Sequence, residues 1–277
     1  MLRSIFTYLI IALFSLGTKA QTPMQIMDSM LYNTERLKGF IAVINKTERF
    51  DDEYTIQLSL VKLNRAPNEV YIRQLSPKEG VEVLLNPSQS KKAVVNLNSF
   101  PWVNLYLDPE GSLMRRNQHH MVYDSGFDLM MSILKTELAS KNPYQSLNRG
   151  PDTEWNGKKM YSLEFRNNDY KLVDYTVQGN EKVDDIAAKL NVNAYSILEF
   201  NDEVDGYSDV NPGQIIKVPS HYAKSIELLI SQETYLPLVT KVFDDMGLYE
   251  KYEYNSITLN PAFQKDEFSE EFEHYNF

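Results

Sequence analysis

Hydrophobic positions along this chain change period several times, and each change marks an element. Thr22-Pro23-Met24-Gln25 offers a capping residue, a proline at the first helical position and a glutamine three residues after the cap. The spacing of Ile26, Met27, Met30, Leu31 and Leu37 predicts a helix with one apolar face, and Gly39 is a natural stop. From Phe40 the period falls to two. Tyr54, Ile56, Leu58 and Leu60 alternate with Thr55, Gln57 and Ser59, which predicts a strand with the first set buried and the second on the wetter side. Strand-like runs at 40–47, 69–75, 80–85 and 93–97 are separated by turn sequences at 64–68, 76–77 and 86–88, so an antiparallel meander is expected.

The stretch 100–123 is less regular. Ser125, with Asp128 three residues on, reads as the cap of a second helix. Phe127, Met130, Met131, Leu134 and Leu138 give that helix a wide apolar face, for which the sheet is the only large partner. A strand at 160–166 follows a polar link, and further strands are expected at 225–230, 238–243 and 248–258. Asp244-Asp245-Met246-Gly247 reads as the hairpin loop between the last two.

Between the strand at 160–166 and the one at 225–230 lies a self-contained pattern. Residues 172–177 form a β-rich run turned by Gly179-Asn180. Val183, Ile186, Ala187 and Leu190 fall on one side of a helix. Asn193 can cap a second helix carrying Ile197, Leu198 and Phe200, which Asn201 ends. Asn211-Pro212-Gly213-Gln214 then turns into a closing strand at 215–219.

This strand, helix, helix, strand order resembles the LysM (lysin motif) family. The matching residues are Tyr175-Thr176-Val177 with Gly179, Ile186-Ala187 before Leu190, Leu198 with Asn201, and Asn211-Pro212-Gly213-Gln214 ahead of Val218-Pro219. The resemblance implies a βααβ unit whose shallow groove binds N-acetylglucosamine-containing glycans such as peptidoglycan or chitin. The groove loops would be Gly179, Asn180, Glu181, Lys182 and Val183 after the first strand, and Val210, Asn211, Pro212 and Gly213 before the second. Asn180-Glu181-Lys182 is bulkier and more charged than the small acidic or hydroxylic pair usual in the family. A merely solvated loop is the competing reading. Tyr195 and Tyr207 stand near these loops, where stacking on a sugar and ordinary packing both remain open.

The surrounding part has a leading helix, a run of antiparallel strands, Ser225-Ile226-Glu227-Leu228 before Glu233-Thr234-Tyr235-Leu236-Pro237, and Tyr252-Glu253-Tyr254 leading to Leu259-Asn260-Pro261. It resembles the periplasmic lipoprotein-carrier family. It is still more similar to a related group of exported domains of unknown function, for which Gly111-Ser112-Leu113-Met114 and Tyr123-Asp124-Ser125-Gly126 are suggestive. The resemblance implies an α+β host, a strongly curved antiparallel sheet cupping helices over an apolar cavity that in carriers receives acyl chains. The expected organisation is a signal peptide at 1–20, the host at 21–168 and 220–277, and the inserted LysM-like unit at 169–219.

Met1-Leu2-Arg3, an apolar run at 5–16 and Thr18-Lys19-Ala20 before Gln21 read as a secretory leader with a small-residue cleavage site. No cysteine follows it, so a lipid-anchored form is not expected, nor is a membrane-spanning mature chain. The 277 residues carry a net charge of −10 and no cysteine. Loss of Arg3 and Lys19 with the leader makes the balance more acidic still. Nucleic acid is therefore a poor partner, and stability has to come from packing without disulfides.

The sequence holds no H-E-x-x-H, G-x-S-x-G or phosphate-cradling glycine loop. No catalytic residue, metal ligand or cofactor is expected. His119-His120 is the one histidine pair, and with Asp124 and Asp128 nearby a metal site is conceivable. Adjacent side chains point apart on a strand, however, which favours a surface or loop-anchoring role. The methionines on the helical faces serve either as core or as an adaptable lining for a lipid-like ligand. The tail 266–277, acidic and aromatic by turns, reads as a frayed end.

The sequence thus points to a non-enzymatic periplasmic or secreted envelope protein. Its insert would bind peptidoglycan-type glycan, and its host an acyl chain, lipidated protein or hydrophobic partner segment. The alternative is a structural adaptor with a self-filled host core and a LysM-like unit that binds protein. A wall hydrolase stands last.

Overall fold

The computed structural model describes residues 20–277; the leader expected at 1–20 falls almost wholly outside them. Helix α1 (Pro23–Glu35) starts where the capping signal places it: Gln25 N–H donates to Thr22 Oγ1 at 3.2 Å and Thr22 N–H to Gln25 Oε1 at 2.9 Å. The meander follows as β1 (Gly39–Phe50), β2 (Glu53–Arg65), β3 (Asn68–Ser76), β4 (Glu82–Leu85), β5 (Ala93–Asn96) and β6 (Leu105–Leu107), each paired antiparallel to the next. A short turn of helix α2 (Ser112–Arg115) and a 3-10 turn (Val122–Asp124) lead into α3 (Asp128–Ala139). After β7 (Gln145–Arg149), β8 (Thr153–Trp155) and β9 (Lys158–Asn167) come β10 (Leu172–Thr176), α4 (Val183–Leu190), α5 (Ala194–Glu199) and β11 (Ile215–Pro219). The chain closes with β12 (Ser225–Ser231), β13 (Pro237–Asp244) and β14 (Gly247–Leu259).

Twelve strands form one antiparallel sheet in the order β6-β5-β4-β3-β2-β1-β14-β13-β12-β9-β7, with β8 also on β9. Strands β9 and β12 pair directly, from Arg166 opposite Ser225 to Met160 opposite Ser231. Everything between them folds off the sheet. There β10 and β11 pair only with each other, Leu172 opposite Pro219 through Thr176 opposite Ile215, beneath α4 and α5. This βααβ body has its own core of Val177, Val183, Ile186, Ile197, Ile216 and Val218. The main core joins Ile26, Met27 and Met30 of α1 and Leu134 of α3 to Met160, Leu228 and Leu238 on the sheet.

Three sequence expectations need correction. Ser125 does not cap α3: Phe127 holds the cap position, and Ser125 Oγ donates to the Val122 carbonyl at 2.7 Å, closing the 3-10 turn instead. Phe127 remains buried before the helix proper, against Phe40 and Tyr254. The tail is not frayed. Its aromatic residues cover the outer face of the sheet, where Tyr71, Leu84 and Val94 would otherwise meet water, and Tyr275 stacks on Tyr71 at 3.7 Å. Glu82 accepts both the Asn276 backbone N–H and its side-chain amide, at 2.9 and 2.7 Å.

On β2 the expected faces are exchanged. Tyr54 and Ile56 are 49% and 58% exposed on the outer side. The polar set Thr55, Gln57 and Ser59 points inward with Val61. Alternation fixed which residues share a face but not which face looks in. The inner side here borders a cavity rather than a dry core, so hydroxyl and amide groups are tolerated there.

Leu134 is fully buried in the main core, whereas Met130, one turn earlier, borders the cavity. Leu134→Ala should cost about 2–5 kcal/mol. Met130→Ala should cost distinctly less, because it enlarges an existing space. Urea-unfolding midpoints of the two variants check the difference.

Candidate functional site

A cavity of about 690 Å³ lies on the inner side of the sheet. Its walls include Ile44, Lys46 and Glu48 of β1, Thr55, Gln57, Ser59 and Val61 of β2, Val95 of β5, Thr240 of β13 and Glu250, Tyr252 and Tyr254 of β14. Each set follows the two-residue alternation of its strand. Six interstrand steps separate β5 from β13, roughly 29 Å if the sheet were flat. Residues of both line one cavity, so the sheet curls around it. Register shifts at Val43/Ile44, Leu58/Ser59, Leu229/Ile230 and Val242/Phe243 supply local twist for that curl. Helix α3 covers one side with Leu129, Met130 and Met131, so the α3 methionines line the space while Met27 and Met30 of α1 fill the core.

The lining is divided. Ile72, Val83, Val95, Leu105, Met130 and Met131 make one region apolar. At the other end Lys46, Glu48, Gln118, His120, Tyr222, Glu250 and Tyr252 gather. Contrary to the expectation for adjacent histidines, His119 and His120 converge: His119 Nδ1 lies 3.1 Å and His120 Nε2 2.9 Å from the same oxygen, Glu250 Oε2. They can do so because residues 116–121 are irregular, in neither helix nor strand. Tyr222 OH donates to Glu250 Oε1 at 2.8 Å and Tyr252 OH to Glu48 Oε1 at 2.5 Å. Lys46 Nζ stands 3.0 Å from Glu48 Oε2. Burial works against both carboxylate charges. Lys46 beside Glu48 and His120 beside Glu250 outweigh it and hold both groups below the usual carboxylate range. Asp124, by contrast, is pushed up by burial, and Asp128 pairs with Arg65 instead.

In the βααβ body, Val177 N–H donates to the Gln214 carbonyl and Gly213 N–H to the Val177 carbonyl, both at 2.9 Å, so the two expected groove loops are tied side by side. Gly179, Asn180, Lys182, Asn211, Pro212 and Gly213 are exposed, Glu181 and Val210 half-buried and Val183 buried. Gly179 and Gly213 have φ of +50° and +81°, the region that favours glycine. Glu181 is not simply solvated. It accepts from Tyr175 OH at 2.7 Å, Gln178 N–H at 2.9 Å and Lys189 at 2.9 Å, and is held down to about 2 by these bonds, Lys189 first.

Tyr195 and Tyr207 face the host rather than a sugar. Tyr195 stacks on His119 at 5.1 Å and meets Phe50 edge-on, while the Arg115 guanidinium lies over the Tyr207 ring. Arg115 also binds Asp184 at 2.7 Å. Arg49 of β1 reaches both Glu199 of α5, at 2.9 Å, and Asp244. Asn193, which caps α5, donates to the His119 carbonyl at 3.4 Å. At the stem, His221 Nδ1 and Nε2 each lie 3.2 Å from a carboxylate, Glu137 and Asp169. Residues 115–120 therefore touch the inserted body on one side and the cavity on the other.

Sequence reading missed Lys46, Glu48, Tyr222, Glu250 and Tyr252. They come from both ends of the chain, and the only local signal was Ile44-x-Lys46-x-Glu48, charge continuing the inward face of a strand.

Comparison with known proteins finds the family model described as "Protein of unknown function (DUF1571)" over residues 37–196, more than half the chain, and the LysM domain model over 175–219. No curated protein matches. Similar solved structures include the Pseudomonas aeruginosa MucA/MucB complex, at 11% identity over 89% of this chain and TM-score 0.42. The chain spans only 60% of the length of the chain it matches there. Mycobacterium tuberculosis lipoprotein LppX matches at 11% identity, 87% of this chain, 97% of its own and TM-score 0.43. A LolA superfamily protein of Nitrosomonas europaea matches at 9% identity, 89% and 97% coverage and TM-score 0.33.

The stem histidine gives a pH dependence. The hydrogen bond to Glu137 raises His221 above the ordinary imidazole value, against the effect of burial. A raised folded-state value stabilises fully below the unfolded value of about 6.5 and is lost as pH climbs through the raised one. Asp169, held low by Asn142 and His221 despite burial, contributes above its unfolded value of 3.8. The Tm deficit of His221→Gln relative to wild type should be largest at about pH 5.5 and shrink toward about pH 9, as read by scanning calorimetry.

Proposed function

Because this chain belongs to the DUF1571 family of proteins of unknown function, we propose its role from its own two sites: an exported, non-enzymatic cell-envelope protein that binds peptidoglycan-type glycan and holds an amphiphile. The host cavity, apolar at one end and charged at the other, is the observation that carries the reading. Its walls suit a single acyl chain or the apolar segment of a lipidated protein, with the polar group beside Lys46 and His120. About 690 Å³ is the volume class of small-molecule sites rather than of packing defects. An inner face that carries Thr55, Gln57 and Ser59 on a central strand also argues against the alternative of a self-filled core.

The LysM match supports glycan binding and fits an extracytoplasmic location. We assign the glycan groove to Gly179, Asn180, Glu181, Lys182 and Val183 with Val210, Asn211, Pro212 and Gly213, in the inserted unit 169–219. The N-acetyl and hydroxyl groups of the sugar would meet the exposed side chains of Asn180 and Asn211, one on each loop. No helix among the described residues is long and apolar enough to cross a membrane. Attachment to the envelope would then come through the wall polymer.

Two measurements test the reading. A Cβ at Gly213 meets nothing within 4 Å, so Gly213→Val acts through backbone strain, about 1–2 kcal/mol, and should weaken sedimentation with purified peptidoglycan while the host stays folded. Wild-type protein that fails to sediment with peptidoglycan refutes the glycan half. For the cavity, organic extracts of purified protein should yield acyl-chain species by mass spectrometry. Ile72→Trp, which fills the apolar end, should lower their amount several-fold. Repeatedly empty wild-type extracts, together with no uptake of added fatty acid, refute the amphiphile half.

A further inference from the structure

The charged end of the cavity contains more than an acyl chain or a sugar needs. One donor atom each from Glu48, His119 and Glu250 lies within 4.8 Å of the others, and all three residues are buried. His119 Nε2 is 2.6 Å from the Arg49 carbonyl oxygen. A carbonyl only accepts, so this nitrogen carries a hydrogen, and the neutral ring directs its lone pair from Nδ1 at Glu250 Oε2, 3.1 Å away. A lone pair facing a carboxylate oxygen is repulsive unless a cation stands between them or the ring takes a second proton.

The carboxylates are oriented in the same sense. Tyr222 occupies Glu250 Oε1 and Tyr252 occupies Glu48 Oε1, so the Oε2 atoms remain for the cluster, that of Glu250 shared with His120 Nε2 at 2.9 Å. Glu48 is 1% exposed, and its Oε2 has no hydrogen bond. The Lys46 ammonium is 3.0 Å away but off hydrogen-bonding geometry. Hydroxyls and a backbone carbonyl that fix the outer atoms of carboxylate and imidazole groups are the usual outer shell of a metal centre. The Nδ1 to Oε2 separation is also close to the edge of a tetrahedron with bonds of about 2.0–2.2 Å, roughly 3.4 Å.

We propose that Glu48, His119 and Glu250 bind one divalent transition-metal ion, zinc the best match, with a fourth position open to the cavity beside His120. Carboxylate and imidazole without thiolate suit zinc, and also manganese or ferrous ion, while three protein ligands and an open position are the zinc arrangement. Lys46 is the competing cation at this place. Its ammonium reaches Glu48 along the cavity wall, so an entering metal ion would turn it toward Gln118, which it already contacts. The inference is independent of whether the cavity holds an amphiphile.

The test uses the purified full chain, stripped with chelator and titrated with zinc chloride by calorimetry, with metal content measured after gel filtration. One zinc ion per chain, a rise in Tm on loading and a tetrahedral Co²⁺ ligand-field spectrum are expected. Glu48→Gln and Glu250→Gln should abolish stoichiometric uptake. Tyr252→Phe, which keeps every ligand, should weaken it about tenfold or more. His274→Ala removes an exposed histidine and should leave uptake unchanged. A wild-type chain that takes up no zinc, manganese or ferrous ion overturns the proposal whether or not the variants fold. So does zinc bound with wild-type affinity by both Glu→Gln variants.

Discussion

The curl of one long antiparallel sheet around a space that its own side chains leave open is the constraint on which the rest of this structure depends. Twelve strands cannot stay flat and bury one face. Bending brings β5 and β13 to the same cavity, and it places the inward residues of β1, β2 and β14 opposite one another. The inner face is then judged by two surroundings at once. Where α1 and α3 press on it, it is apolar and fully buried; where they do not, Thr55, Gln57, Lys46 and Glu48 are stable because the cavity can hold polar partners. The outer face has its own solution, a C-terminal tail whose aromatic rings cover Tyr71 and Leu84.

The inserted body is joined to the host by more than its two connecting strands. Arg49 is almost wholly buried between Glu199 of the insert and Asp244 of the host, and removing one partner would leave an uncompensated charge away from water. Arg115 repeats the arrangement with Asp184 and the Tyr207 ring, and His119 is sandwiched between Tyr195 of the insert and Tyr249 of the host. Charged and aromatic groups in these positions favour one docking geometry. The short segment 115–120 belongs to both the junction and the cavity, so the glycan-side unit and the charged end of the cavity share a wall.

Much of the fold is legible in local sequence because local rules govern it. The capping box at Thr22, the Asn193 cap, the glycine turns at 179 and 213 and the meander of β1 to β5 each depend on residues within a few positions of one another. Motif order was enough for the LysM-like unit, and the direct pairing of β9 with β12 follows from its paired ends lying close together. The start of α3 was misplaced by two residues, since Ser125 had a nearer use in the 3-10 turn and Phe127 took the cap position.

What the sequence determined by itself is which residues share a face, where the chain turns and which segment folds against itself. All of these follow from backbone periods of 2 and 3.6 and from side chains that bond to their own neighbourhood. Only the tertiary structure decided which face looks inward, because that depends on what lies across the sheet: Ile56 faces out and Gln57 in, against the rule of apolar burial. It also decided that Glu48, His119, His120, Tyr222 and Glu250 meet. No periodicity links residues some 200 positions apart, and their proximity exists only once β1 and β14 are paired and the irregular loop between α2 and α3 has folded over them.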